Sequence, residues 1–305
     1  MEKIIQSIMK QLMSFSNFYE QESQKQLNPT HLEKIKAYIS KKQKIFLVLP
    51  AFPAKSSNPL KTYSRTPDFG ELKALFRLNS LGAKIKKMYP PGAEIVVCSD
   101  GRVFSDLVGV KEADVSLYGE KLKTMKEEFK LDHLSFFNLE DVYSNKRTFE
   151  EMRTTLEEKH AQPLDSLQKL VKEKKEEKQL FNGIHRFIKE DFFILNPQTS
   201  RNQVCKQSKE TAYKVIQRSN AWSSLLKSFF PQAVRLSIHP QEKNSSKFPV
   251  KLIPGLGKWG TPWHGVLLKK GKKFELVKYK QAKEIGAVQK HFSNSYVYFE
   301  TKEAL

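Results

Sequence analysis

Hydrophobic positions change their spacing along the 305-residue chain, and each change predicts an element. Between residues 2 and 42, Ile4, Ile5, Ile8 and Leu12 recur at helical intervals and Asn28-Pro29-Thr30 reads as a break followed by an N-cap. Two amphipathic helices that cover the core are expected there. KIFLVLP (44–50) is a nearly continuous apolar run, the pattern of a strand buried on both faces. Residues 68–88 return to helical spacing through Leu72, Leu75, Phe76, Leu78 and Ile85; EIVVCSD (94–100) repeats the strand signal, 119–130 reads as a second helix, and LSFFNL (134–139) as a third strand.

Strand, helix, strand, helix, strand implies a parallel sheet with right-handed crossovers. Residues 147–230 are then almost wholly helical, with VKEKKEEKQL reading as a solvated helix face. From 233 onward AVRLSIHP, FPVKLI, HGVLLKK, KFELVKY and SYVYFE read as strands with short connections, an antiparallel extension of the sheet. The expected fold is α/β: a Rossmann-like, mostly parallel sheet with flanking helices, a helical insertion and an antiparallel C-terminal extension. One domain is expected over 1–305, made of N-terminal helices (1–42), a parallel core (43–140), a helical segment (141–232) and a β-rich part (233–305).

Composition narrows the function. Cys98 and Cys205 are too far apart in sequence to suggest a CxxC metal or redox site. No run approaches the ~20 apolar residues of a membrane span, and the N-terminus lacks a signal-peptide core, so a cytoplasmic protein with no membrane partner is expected. Lys and Arg number 53 against 33 acids, a formal charge of +20 that favours anionic ligands. P-loop and HExxH motifs are absent. A literal GxGxxG at Gly255, Gly257 and Gly260 precedes Pro262 and does not open a helix, so it is not a dinucleotide fingerprint. His31-Leu32-Glu33 lacks a third ligand, and no metal is expected.

Ligands of open parallel sheets sit beyond the carboxyl ends of the strands. There the chain places LPAFPAKSSNPLKTYSRTPDFGE (49–71), whose prolines stiffen a loop presenting Lys55, Ser56, Asn58 and Lys61, and Ser99-Asp100-Gly101-Arg102 running on to Asp106. Arg218-Ser219-Asn220-Ala221-Trp222, RLSIHP with Arg235 and His239, and TPWHGV with Trp263 and His264 add cations, proton-transfer groups and aromatic walls.

LPAFPAKSSNPLK, PGAEIVVCSDGRVFSDLVGV (91–110), RSNAW, RLSIHP and TPWHGV together closely resemble the isocyanide synthases, or pyoverdine/dityrosine biosynthesis family, from about residue 47 to about 267. The resemblance implies a lyase-type enzyme, without metal or organic cofactor. It would join the amino group of an aromatic L-amino acid to ribulose 5-phosphate, whose C2 becomes the isocyanide carbon, with a separate iron- and 2-oxoglutarate-dependent oxygenase acting downstream. Asp100, Asp106, His239 and His264 are then the expected proton carriers. Lys55, Ser56, Asn58, Lys61, Asp68, Glu71, Arg102, Arg218, Asn220, Trp222, Arg235 and Trp263 are the expected substrate contacts. The loop departs from the family pattern at Ser57 and at Thr62-Tyr63-Ser64, while Lys55, Asn58, Lys61, Pro67 and Asp68 stand where expected.

L-tyrosine is the expected amino acid, with Asn220, Ser223 and His264 as hydrogen-bond partners for its phenol. Two alternatives stand beside this reading. One is a single-strand nucleic-acid binder, suggested by 11 Lys or Arg against two acids over 201–260 with Trp222, Trp259 and Trp263 nearby. The other is a sugar-phosphate enzyme of different chemistry. The isocyanide reading expects no nucleic-acid partner.

Overall fold

A computed structural model describes residues 1–19, 26–143, 148–253, 257 and 259–301. The N-terminal pattern gives α1 (Glu2–Ser14), which buries Ile5, Ile8 and Leu12, and α2 (Pro29–Ser40), capped by the Asn28 side chain accepting from the Thr30 amide. Then follow β1 (Ile45–Pro50), α3 (Phe69–Met88), β2 (Ala93–Cys98), the single turn α4 (Gly101–Phe104), α5 (Glu112–Glu128) and β3 (Leu134–Phe137). The helical segment comprises α6 (Phe149–His160), α7 (Leu164–Glu173), α8 (Lys175–Leu195) and α9 (Arg201–Phe229). The remainder is β4 (Val234–Ser237), β5 (Phe248–Pro249), β6 (Val266–Lys270), β7 (Lys273–Val277), α10 (Tyr279–Glu284), β8 (Val288–Phe292) and β9 (Tyr296–Glu300).

The main sheet is wholly parallel, in the order β3-β2-β1-β4-β5. Because strand side chains alternate, Leu47, Leu49, Ile95, Val97, Leu134, Leu236 and Phe248 join one core with α1, α2, α3 and α5. Val48, Val96 and Cys98 face the other way, into a core with Met152 and Leu156 of α6 and Trp222, Leu225 and Leu226 of α9. A third apolar cluster, with Leu167, Phe181, Ile188, Tyr213 and Ile216, ties α7, α8 and α9 together. Sequence neighbours of β1 lie on one side of it and β4 and β5 on the other. This makes a topological switch point beside β1, where loops diverge and leave a crevice.

The α/β fold is as expected, but the C-terminal strands divide differently. RLSIHP and FPVKLI supply β4 and β5, which extend the main sheet in parallel. HGVLLKK, KFELVKY and SYVYFE build a separate mixed sheet, β7-β6-β9-β8, in which β6 and β9 run parallel. Its strand β8 escapes pattern reading because VQKHF is largely polar and exposed. Phe69 of α3 packs on Phe274, Phe292 and Tyr298 of this second sheet. VKEKKEEKQL spans the α7–α8 junction, with its charged residues mostly exposed. His31 is buried against Phe248, with its Nε2 3.0 Å from the Ser245 carbonyl oxygen.

Candidate active site

The loop after β1 is held by charges rather than offering them. Asp68 caps α3 by accepting from the Gly70 amide, and Glu71 accepts from the Asp68 amide, a reciprocal capping box. Lys55 Nζ inserts between these carboxylates, 2.7 Å from Asp68 Oδ2 and 2.9 Å from Glu71 Oε2, and also donates to the carbonyl oxygen of Pro262 at 3.0 Å. The Tyr118 hydroxyl donates to the other Glu71 oxygen. Burial opposes charge on Lys55, but the two carboxylates outweigh it and hold the ammonium above its ordinary pKa. Burial, with Asp68 adding its repulsion, pushes Glu71 up to about 7 against the pull of Lys55. Asp68 and Glu71 therefore stand behind the cavity wall, while Lys55 borders the cavity with its ammonium held by them.

Lys61 is committed in the same way. Its Nζ lies 2.7 Å from Asp191 Oδ1 and 3.0 Å from Glu190 Oε2, donates to the Phe187 carbonyl oxygen, and sits over the Phe187 ring. Asp191 of α8 also accepts from Ser56 Oγ at 2.9 Å and from Asn58 Nδ2 at 3.0 Å. One carboxylate thus fixes three residues of the loop. Sequence reading missed it, because Glu190-Asp191 looks like ordinary surface charge; the signal was its place in an otherwise aromatic stretch, FIKEDFF.

The second loop reaches the first through a glycine. A Cβ at Gly101 would lie 1.9 Å from the Pro53 carbonyl oxygen, so only glycine permits this approach. Ser99 Oγ donates to the Phe52 carbonyl oxygen, and Phe52 itself holds the left-handed φ of 61°. Asp100 is thereby presented to the cavity. Its buried Oδ1 has no hydrogen-bond partner among the described residues, and burial pushes the carboxyl up to about 7.

His239 and His264 also border the cavity. His264 stacks on Phe187 with centroids 4.8 Å apart, and its Nδ1 lies 3.0 Å from Thr261 Oγ1. Burial and the Lys61 charge lower it to about 4. His239 lies under Trp259 at 5.3 Å and is lowered to about 4 by burial and Lys247. Trp259 fits here because Gly183 leaves room on α8. Both imidazoles are neutral at physiological pH, so the expectation that His239 exchanges protons near neutrality passes to Asp100. The remaining wall is strongly apolar, with Phe104, Val110, Ile184, Phe187 and Phe192, and Trp263 beneath.

Several expected contacts do not line the cavity. The single turn of α4 points Phe104 and Ser105 into the cavity and carries Arg102 away to Glu112 and Glu140, over the Phe149 ring. Asp106 pairs with Arg218, which also binds Glu157. These groups cross-link α4, α5, α6 and α9 and do not border the cavity. Trp222 is fully buried and stacks on Phe137, and Asn220 does not line the cavity. Trp222 and Trp263 are both buried, so of the three tryptophans only the half-buried Trp259 is left with any face for stacking on nucleic acid. Arg235 is buried and donates to the carbonyl and hydroxyl oxygens of Ser223. Among the described residues no cluster of His, Cys, Asp and Glu is arranged to hold a metal ion, and no helix is long and apolar enough to cross a membrane.

Fold and site together define a Rossmann-like α/β protein with an aromatic-walled, partly ionisable cavity at the switch point of its sheet. Residues 35–289 match the family model described as pyoverdine/dityrosine biosynthesis protein. The chain is 45% identical over 257 residues to the L-tryptophan isonitrile synthase AmbI2 of Fischerella ambigua, covering 84% of this chain and 78% of that protein. It is 39% identical over 290 residues to an L-tyrosine isonitrile synthase of Pseudomonas aeruginosa, covering 92% and 88%. The crystal structure of the PvcA protein of Pseudomonas aeruginosa superposes with a TM-score of 0.92 at 38% identity, over 98% of this chain and 100% of that one. The chain belongs to the pyoverdine/dityrosine biosynthesis family.

Proposed function

We propose that this protein is an isocyanide synthase that joins the amino group of an aromatic L-amino acid to C2 of ribulose 5-phosphate. The observation that carries the reading is Asp100: a carboxyl with one buried oxygen left without a partner, poised near neutrality, facing a cavity whose wall is rich in aromatic residues. Relatives named as isonitrile synthases support it. Asp100 as carboxylate takes a proton from the substrate ammonium. The free amine attacks the ketone carbon, and the acid form of Asp100 then returns the proton to the carbinolamine hydroxyl, which leaves as water to give the protonated imine and the Asp100 carboxylate. Neutral His264 and His239 orient the reactants by hydrogen bonds. The isocyanide would be consumed by a separate oxygenase.

For the amino acid, the L-tyrosine reading now rests on His264 alone, since Asn220 lies outside the cavity and Ser223 is engaged by Arg235. L-Tryptophan is the second reading, favoured by the apolar wall, which makes no demand for a phenol. Incubation with ribulose 5-phosphate and tyrosine, tryptophan or phenylalanine, with tetrazine trapping of isocyanide, tests both. Phosphate released equally without any amino acid would overturn the proposal.

A further inference from the structure

A guanidinium removed from water ordinarily has a carboxylate partner. Arg235 is 8% exposed, yet its described hydrogen bonds run only to Ser223 and its Nε has no partner among the described residues. Cys98, near it on the same sheet face, is kept as the neutral thiol by burial and supplies no counter-charge.

A second cation stands beside it. Strands β4 and β5 pair Leu236 with Phe248, whose side chains enter the core shared with α1, so the preceding residues, Arg235 and Lys247, project together from the opposite face. The Arg235 charge adds to burial in lowering both the Lys247 and the Lys34 ammonium, Lys34 being held by the carbonyl oxygens of Pro231 and Ala233. Glu177 of α8 is the carboxylate that acts on Lys247, and among the described residues no ion pair joins the two. Placing two like charges together on a half-buried face is unfavourable unless an anion joins them.

We propose that Arg235 and Lys247 bind the phosphate of the sugar substrate, behind the part of the cavity wall that carries His239. The inference rests on the proposed function for the identity of the sugar. Lys247 acts directly on His239, a cavity residue. Arg235 is anchored at Ser223, one turn along α9 from Ser219, which lines the cavity. That turn rises about 6 Å, comparable to the three carbons and ester oxygen that separate the ketone of ribulose 5-phosphate from its phosphorus. A phosphate at Arg235 then leaves the ketone end of the sugar at the level of Ser219, in the cavity wall. The other cations expected to contact substrate, Lys55, Lys61, Arg102 and Arg218, are each paired with protein carboxylates.

The test uses Lys247→Ala, Lys247→Arg and Arg235→Lys in the full chain. Lys247→Ala should raise KM for ribulose 5-phosphate roughly ten- to a hundredfold, the value of one charge-assisted hydrogen bond, with KM for the amino acid unchanged and rescue by Lys247→Arg. Calorimetry with inorganic phosphate reads the site without catalysis: wild type should bind and Lys247→Ala should not. This arm stands even if ribulose 5-phosphate proves not to be the substrate. A rise in amino-acid KM instead would assign the pair to the amino-acid carboxylate and overturn the proposal. Unchanged phosphate binding in both Lys247→Ala and Arg235→Lys would overturn it as well.

Discussion

The carbonyl oxygen of Pro53 occupies the space that any side chain at Gly101 would need, 1.9 Å from the position of its Cβ. Backbone lies on both sides of this contact, so neither partner can rotate away. Gly101→Ala should therefore destabilise the fold by at least about 1–3 kcal/mol, the usual cost of overpacking, and should displace Asp100. Denaturant melts paired with activity assays check it: activity lost beyond the unfolded fraction is expected.

Lys55→Met should be a stability variant before it is a kinetic one. Removing the ammonium leaves Asp68 and Glu71 facing each other in a fully buried position, and breaking such a group costs about 3–5 kcal/mol. A large fall in the denaturation midpoint is expected. Normal stability with a selective rise in KM for the sugar phosphate would instead make Lys55 a substrate contact.

Asp100→Asn should abolish turnover while preserving the fold. The carboxyl is raised from 3.8 to about 7 by burial, so the native state binds the extra proton and loses stability as pH rises between these values. Above that window the amide variant should melt at a higher temperature than wild type. Melting below wild type at pH 8 would show that the carboxylate is structurally required.

The histidines act in the opposite direction. His239 and His264 fall from 6.5 to about 4 on folding, so the stability they permit is complete above 6.5 and is lost as pH falls through about 4. Replacing both with Gln should flatten the acid limb of the melting-temperature profile in that range, measured by thermal denaturation at successive pH values. An unchanged limb would place the acid sensitivity elsewhere.

The strands at 45–50 and 93–98 were legible because a parallel strand covered on both faces reads as an unbroken apolar run, and Asp100 followed from the rule that ligands lie at such strand ends. The fate of each cation was not legible. Lys61 and Lys55 look alike in sequence, but their neutralising partners differ in distance: Asp68 and Glu71 lie within one loop and helix start, whereas Asp191 arrives from α8. Nor does composition say which way a one-turn helix faces. Arg102 and Asp106 stand beside cavity residues in the chain and turn their side chains to other helices. Trp222 sits in a family-like segment and serves only the core.

Two of the acceptors around the Lys55 ammonium, the carbonyl oxygens of Pro262 and Gly265, lie 207 and 210 residues further along the chain. During synthesis on the ribosome, the loop that carries Lys55 emerges early and waits for them. Until residue 265 is available, this ammonium cannot be withdrawn from water with its hydrogen bonds complete. The β4 strand that flanks β1 is delayed in the same way. The frame of the site is thus assembled only once residue 265 has been made, and a chain truncated before TPWHG should retain its N-terminal helices and first strands while leaving this loop open to proteases.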